Sequence, residues 1–185
     1  MRAAVFGGSF DPPHIGHEKI IQKALEKLDI DVLFVVPTYL NPFKKKFFAP
    51  PHLRYKWVKK LLLPYPKTKL IDYELKQNRP VPTIETIRYL QKNYPLEKIY
   101  LIIGADNLDT LHKWKDYETL KRLVEFVVVT RDDIPVPDDL QKLKLHANIS
   151  STKLREHLDK KLLPESIAEE IWNYYQTKEN NAKEN

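Results

Sequence analysis

Two histidines, His14 and His17, stand three positions apart in the segment GGSFDPPHIGH, residues 7–17, behind two glycines and Ser9. On a helix that separation is close to one turn, so both imidazoles can face one ligand. Gly7 and Gly8 are expected to let the backbone turn and to offer amide N–H groups with no Cβ in the way, and Gly16 to permit close approach where the helix begins. A helix N-terminus favours anions. Gathered at one strand-to-helix junction, with Ser9 and Phe10 between, these groups suit a polyphosphate. The chain has only four glycines against fourteen prolines, and three of the four fall in this segment.

Other chemistries fit it less well. Histidines at this spacing are commonly surface residues; as metal ligands they would want a third partner, and no Cys, third His or Glu stands at metal-site spacing nearby. Ser9 and His17 lack the G-x-S-x-G elbow of a hydrolase. The G-x-G-x-x-G dinucleotide fingerprint is also missing.

Further polar groups recur along the chain. Lys44 begins the one uninterrupted lysine run, Lys44–Lys46, in a Pro- and Lys-rich stretch, residues 37–51, that lacks periodicity and reads as a mobile loop. Gly104 closes an apolar run and is followed by Ala105 and Asp106. A Gly-Ala pair there leaves room for a ribose or ring, and Asp106 can either accept from sugar hydroxyls or cap the next helix. Ile149, Ser150, Ser151 and Thr152 precede Arg155; this is both an ordinary helix cap and a row of phosphate donors. Trp114 read alone is a core or interface residue.

These residues need a frame. Short apolar runs at Ala3–Phe6, Val32–Val36, Leu101–Ile103 and Phe126–Val129 suit strands buried on both faces of a parallel sheet. Between them Ile20, Ile21, Ala24, Leu25 and Leu28 form a helical stripe, as do Ile84, Ile87 and Leu90, and then Ile167, Ala168, Ile171, Trp172 and Tyr175. Strands alternating with helices imply an α/β, doubly wound, mainly parallel sheet, with ligands beyond the carboxyl ends of its strands. At 185 residues one domain is expected, residues 1–176, followed by a disordered tail, residues 177–185.

The net charge of +6 permits a nucleic-acid-binding module, but the lysines are interleaved with acids and neither stacking-aromatic nor recognition-helix signatures stand out. With no cysteine, disulfides and thiolate metal sites are excluded. Apolar runs are too short to span a bilayer, and the N-terminus lacks a secretory signal, so a cytoplasmic location is expected.

Taken together, these motifs resemble the H-x-G-H nucleotidyltransferase superfamily, and more closely the bacterial nicotinate mononucleotide adenylyltransferases. The resemblance is collinear over residues 1 to about 175: GGSFDPPHIGH, the loop PTYLNPFKKK, the helix around His52, Arg54 and Trp57, TIETI at 83–87, LIIGADNLDTLHKWKDYETL at 101–120, and NISSTKLR at 148–155. It implies a Rossmann-like fold and adenylyl transfer from ATP to nicotinate mononucleotide, with magnesium on the ATP phosphates. His14, His17, Lys44 and Arg155 would then be catalytic. Gly7, Gly8, Ser9, Phe10, Gly104, Asp106, Ile149, Ser150, Ser151 and Thr152 would join the two histidines and Arg155 around ATP. The mononucleotide would meet Ser9, Phe10, Lys44, Thr83, Thr86 and Trp114, the indole stacking on the ring. No protein metal ligand, nucleic acid or membrane partner is implied, and a homo-oligomer is compatible.

The chain departs from the family's usual Ser-Tyr-Thr-x-Asp-Thr stretch at Val81, Pro82 and Glu85. These changes touch the mononucleotide half, which leaves nicotinamide mononucleotide open as substrate. Phosphopantetheine adenylyltransferase is the rival within the superfamily, but it typically carries Thr at the position of His14 and lacks the G-A-D segment followed by tryptophan.

Overall fold

The computed structural model describes residues 1–40, 45–130, 134–145 and 149–183. Its strands are β1 (Arg2–Gly8), β2 (Val32–Pro37), β3 (Thr68–Leu70), β4 (Lys98–Gly104), β5 (Glu125–Thr130) and β6 (Gln141–Lys144). Its helices are α1 (Ile15–Lys27), α2 (Pro51–Leu61), α3 (Tyr73–Lys76), α4 (Thr83–Asn93), α5 (Tyr117–Leu123), α6 (Ser151–Glu156) and α7 (Ala168–Lys183). The strands form one sheet in the order β3-β2-β1-β4-β5-β6. Every pairing is parallel.

The continuous apolar runs are buried on both sides because successive side chains feed two separate cores. Ala4, Phe6, Leu33, Val35, Tyr100, Ile102, Val127 and Val129 pack on one face with Ile21 and Ala24 of α1, Trp57 and Val58 of α2, and Ile171 of α7. Ala3, Val5, Phe34, Val36, Leu101, Ile103 and Val128 pack on the other with Ile84, Ile87 and Leu90 of α4 and Leu120 of α5. Lysines stand on both edge strands, Lys69 on β3 and Lys142 and Lys144 on β6. Charge there discourages edge-to-edge pairing with other chains.

The end of the chain differs from the sequence expectation. Helix α7 continues to Lys183, through seven of the residues expected to lack structure. Lys178, Glu179, Ala182 and Lys183 are good helix formers, and Lys178 reaches back to the carbonyl oxygen of Phe48. Among the described residues, no helix is long and apolar enough to cross a membrane.

Candidate active site

The sheet order sets the place of the site. Chain leaving β1 goes to α1 on one face, while chain leaving β4 goes to α5 on the other, so the connections after these two adjacent strands diverge at their carboxyl ends. A crevice at such a switch point is where open α/β sheets bind ligands. Here it is a cavity of about 530 Å³. Gly7, Gly8 and Ser9 reach it from the end of β1 and just beyond, Gly104 from the end of β4 and Asp106 from the turn after it, Thr83 and Thr86 from α4, and Trp114 from the segment before α5.

The turn after β1 is not made where the glycines suggest. Gly7 and Gly8 are still strand, paired with Val36 and Pro37, and no glycine among the described residues has positive φ. The reversal falls on Phe10, at φ 49°. Its ring is buried at 1% exposure. There it packs edge-on against Phe6 and His17, with centroids 5.5 and 4.8 Å away. Burial of the ring offsets the left-handed backbone. Phe10 can therefore serve a ligand only through its main chain, and a side chain at Gly8 would press on its ring at 3.3 Å.

His14 is the residue just before α1, with an extended backbone. Its ring is 3% exposed and stacks on His17 with centroids 3.7 Å apart, so the one-turn spacing does bring the imidazoles together. The backbone N–H of His14 donates to Nδ1 of His17 at 3.0 Å. An accepting Nδ1 places the ring proton of His17 on Nε2, which becomes a donor. Gly16 is required between them: a Cβ there would lie 2.8 Å from the His14 ring. The pair adjoins the cavity without forming its wall, which α1 reaches at Ile20.

The last motif forms a helix cap, one of the two uses expected of it. Ser150 caps α6, its hydroxyl accepting from the Lys153 N–H at 3.1 Å. Ser151 Oγ donates to the Pro12 carbonyl at 2.9 Å, and Arg155 Nη1 donates to the Asp11 carbonyl at 2.5 Å. The Arg155 guanidinium also lies 4.2 Å from the Phe48 ring centre, and Nη2 is 3.4 Å from Thr152 Oγ1. Ile149 is buried. None of the five lines the large cavity; Ser151 and Arg155 instead hold the first loop through its carbonyl oxygens. Asp106 is exposed and does not cap the short 3-10 turn Ala105–Asn107, so its carboxylate remains at the cavity wall. Lys44 lies outside the described residues.

Three site-building residues had no role assigned from the sequence. Arg54, 1% exposed, donates to the carbonyl oxygens of Ala49, Ser9, Thr38 and Tyr39 at 2.6–2.9 Å. Burial pushes its pKa down while the Asp11 charge opposes the shift. A signal existed: Arg54, Trp57, Val58 and Leu61 share the buried stripe of α2, where a charge is out of place. Asp11 accepts from the Phe48 and Ala49 N–H groups and the Tyr175 hydroxyl at 2.7, 2.9 and 3.0 Å. Asp11 and Arg54 thus pin both flanks of the loop after β2.

Glu74 is the third. It is 5% exposed, lines the cavity, and accepts from Thr86 Oγ1 at 2.9 Å. Burial pushes its pKa up to about 7, with the Thr86 hydrogen bond opposing and Glu85 adding to the shift. Its helix spans four residues, too short to show any periodicity. Glu74 Oε2, Thr38 Oγ1 and Trp114 Nε1 are buried without a hydrogen-bond partner among the described residues, and all three residues line this cavity. Buried polar atoms are normally satisfied, so their convergence marks a place for a polar ligand.

Comparison with known proteins agrees with this geometry. The cytidylyltransferase-like family model matches residues 5–157. A Nitratiruptor sp. protein named "probable nicotinate-nucleotide adenylyltransferase" is 51% identical over 177 residues, 96% of this chain and 100% of that one. The chain belongs to the nicotinate-nucleotide adenylyltransferase family. A Campylobacter jejuni member of the same name is 49% identical over 181 residues, covering 98% of this chain and all of its own. The fold of the family also matches a solved structure, Plasmodium falciparum nicotinic acid mononucleotide adenylyltransferase complexed with NaAD, at TM-score 0.73 and 19% identity over 95% of this chain and 97% of that one. Family members are nucleotidyltransferases, as the H-I-G-H tetrapeptide at 14–17 implied.

Proposed function

We propose that this chain transfers the adenylyl group of ATP to nicotinate mononucleotide, giving deamido-NAD and pyrophosphate in NAD biosynthesis. The observation that carries the proposal is the switch-point cavity, lined by both glycine-bearing strand ends and by Trp114, in a chain about half identical to full-length relatives of that name.

The attacking group is a phosphate oxygen of the mononucleotide, already an anion, so no general base is needed. A bond forms from that oxygen to the α-phosphorus of ATP. The bond from the α-phosphorus to the bridging oxygen breaks, and its electron pair leaves with pyrophosphate. The protein aligns the two nucleotides and neutralises the charge that develops on the leaving group. In this reading His17 Nε2–H serves the second task, with His14 stacked on it. Trp114 offers a ring face and an N–H to the pyridine ring, and Thr83 and Thr86 offer hydroxyls nearby. Asp106 can accept from ribose hydroxyls. Lys44 and Arg155 complete this reading as cationic groups toward the phosphates, Arg155 after exchanging its hold on the first loop.

Among the described residues no group of three or more His, Asp or Glu could hold a metal ion. The donor set, rich in N–H and hydroxyl groups, fits phosphates, and magnesium fits as the counter-ion ATP brings on its own oxygens, where it would neutralise charge. A soluble, cytoplasmic enzyme belongs to the same proposal. The net charge of +6 would help attract two anionic substrates.

The test is to incubate purified protein with ATP, magnesium and either nicotinate or nicotinamide mononucleotide, and to resolve the dinucleotides formed. Deamido-NAD should dominate. Preference for the amide would overturn the specificity, and absence of both dinucleotides would overturn the transfer.

A further inference from the structure

Glu74 puts a carboxyl group in the wall of a cavity read as taking two polyanions. Its Oε1 accepts one hydrogen bond, from Thr86 Oγ1 at 2.9 Å, and Oε2 has no partner among the described residues. An ionised carboxylate buried to 5% exposure with a single donor is poorly compensated. Among the described residues no cation forms an ion pair with it. Of the charged groups around it, Glu85 on α4 is an acid, itself bonded to Arg79 at 2.7 Å and near Lys115 at 3.9 Å. Lys76 and Asp72 at the ends of its own helix pair with each other at 2.9 Å. Strand β2, which packs against α3, presents only apolar residues. Lys113 and Asp106 also line the cavity.

The two candidate mononucleotides differ at one substituent. A ring carboxylate carries a negative charge and only acceptors; a carboxamide is neutral and also donates. An ionised Glu74 repels the first and tolerates the second, whereas a protonated Glu74 lifts the repulsion. We propose that Glu74 is a specificity-determining residue of the mononucleotide half of the cavity: the protein takes up a proton at Glu74 when it binds a mononucleotide with an anionic ring substituent, and takes up none there for the neutral amide. Burial that already holds this carboxyl near neutrality keeps the proton available at physiological pH. The inference rests on the adenylyltransferase reading above and deepens it. A protonated carboxyl kept in an apolar wall to receive an anion is a known device of enzyme sites.

The sign follows from linkage. An anionic ligand raises the pKa of Glu74, so its affinity falls as pH rises through the value in the free protein, while the amide's affinity does not respond to this group. Groups that respond alike to either substrate, the mononucleotide phosphate among them, cancel in a ratio. The ratio of kcat/KM for the acid over the amide therefore isolates Glu74.

That ratio is to be measured from pH 6 to 9 in the wild type and in Glu74→Gln, a neutral isostere. In the wild type it should fall by up to about a hundredfold over this range, approaching tenfold per pH unit above neutrality. In Glu74→Gln it should stay flat. A flat wild-type ratio, or an unchanged slope in the variant, overturns the inference while dinucleotide formation leaves the transfer reading intact; no dinucleotide from either substrate overturns both. A second measurement uses the wild type alone: calorimetric titration at pH 8, in buffers of different ionisation enthalpy, with a non-hydrolysable α,β-methylene ATP analogue present. Nicotinate mononucleotide should take up close to one proton more than nicotinamide mononucleotide, and equal uptake overturns the inference.

Discussion

Nη1 of Arg54 lies 2.6 Å from the carbonyl oxygen of Ser9, and the same nitrogen lies 2.7 Å from that of Thr38. One buried guanidinium thereby fixes the loop after β1 against the loop after β2. The fork of donors on a planar group is what allows four carbonyls to be satisfied from one side chain.

Replacing Arg54 by lysine keeps the charge and loses the fork. Lysine cannot reach four carbonyls from one nitrogen, so buried acceptors are left unpaired. Destabilisation of roughly 2–5 kcal/mol is expected, read as a lower urea midpoint, together with a raised KM for both substrates.

His17→Ala removes the donor proposed to serve the leaving group and leaves the core intact, since the residue is only partly buried. Turnover should fall by about 10²–10³, with an unchanged circular dichroism spectrum. Near-normal turnover would take His17 out of the mechanism.

Gly16→Ala tests the close approach inside the tetrapeptide. The added methyl group would stand 2.8 Å from the buried His14 ring, which is stacked and cannot swing away freely. A loss of about 1–3 kcal/mol is expected from overpacking, and kcat should drop because the His14–His17 stack must shift.

Glu74 also shapes the pH dependence of stability. Its folded pKa of about 7 lies above the ordinary value of 4.5. Between those values the folded state holds a proton that the unfolded state has released, so stability falls as pH rises through this window. The difference amounts to about 3 kcal/mol. Glu74→Gln should therefore gain stability relative to wild type at pH 8 and not at pH 4.5, measured by urea denaturation. A constant difference would show that Glu74 is not buried as an acid.

The central strands and the amphipathic helices α1, α4 and α7 were legible because burial on two faces or on one stripe leaves a periodic mark on the sequence. The edge strands β3 and β6 were not: Thr68–Leu70 and Gln141–Lys144 are short and carry lysines that keep an edge unpaired, which erases the apolar run. In the site, the histidine spacing translated directly into a stacked pair. The glycines misled in one respect, since their extended backbone left the reversal to Phe10, whose buried ring makes a left-handed turn tolerable. The roles of Asp11, Arg54 and Glu74 depend mostly on partners 12 to 164 positions away, and such pairings leave no local pattern.

The Tyr175 hydroxyl donates to the Asp11 carboxylate across 164 positions of sequence, and the same carboxylate organises the chain entering α2. During synthesis the first loop is made early but can be locked only after the last helix has been made. Folding of this site must await nearly the whole chain, a topology that slows folding through its long-range closures. Nucleotides would stabilise only the finished molecule and could not rescue partial chains.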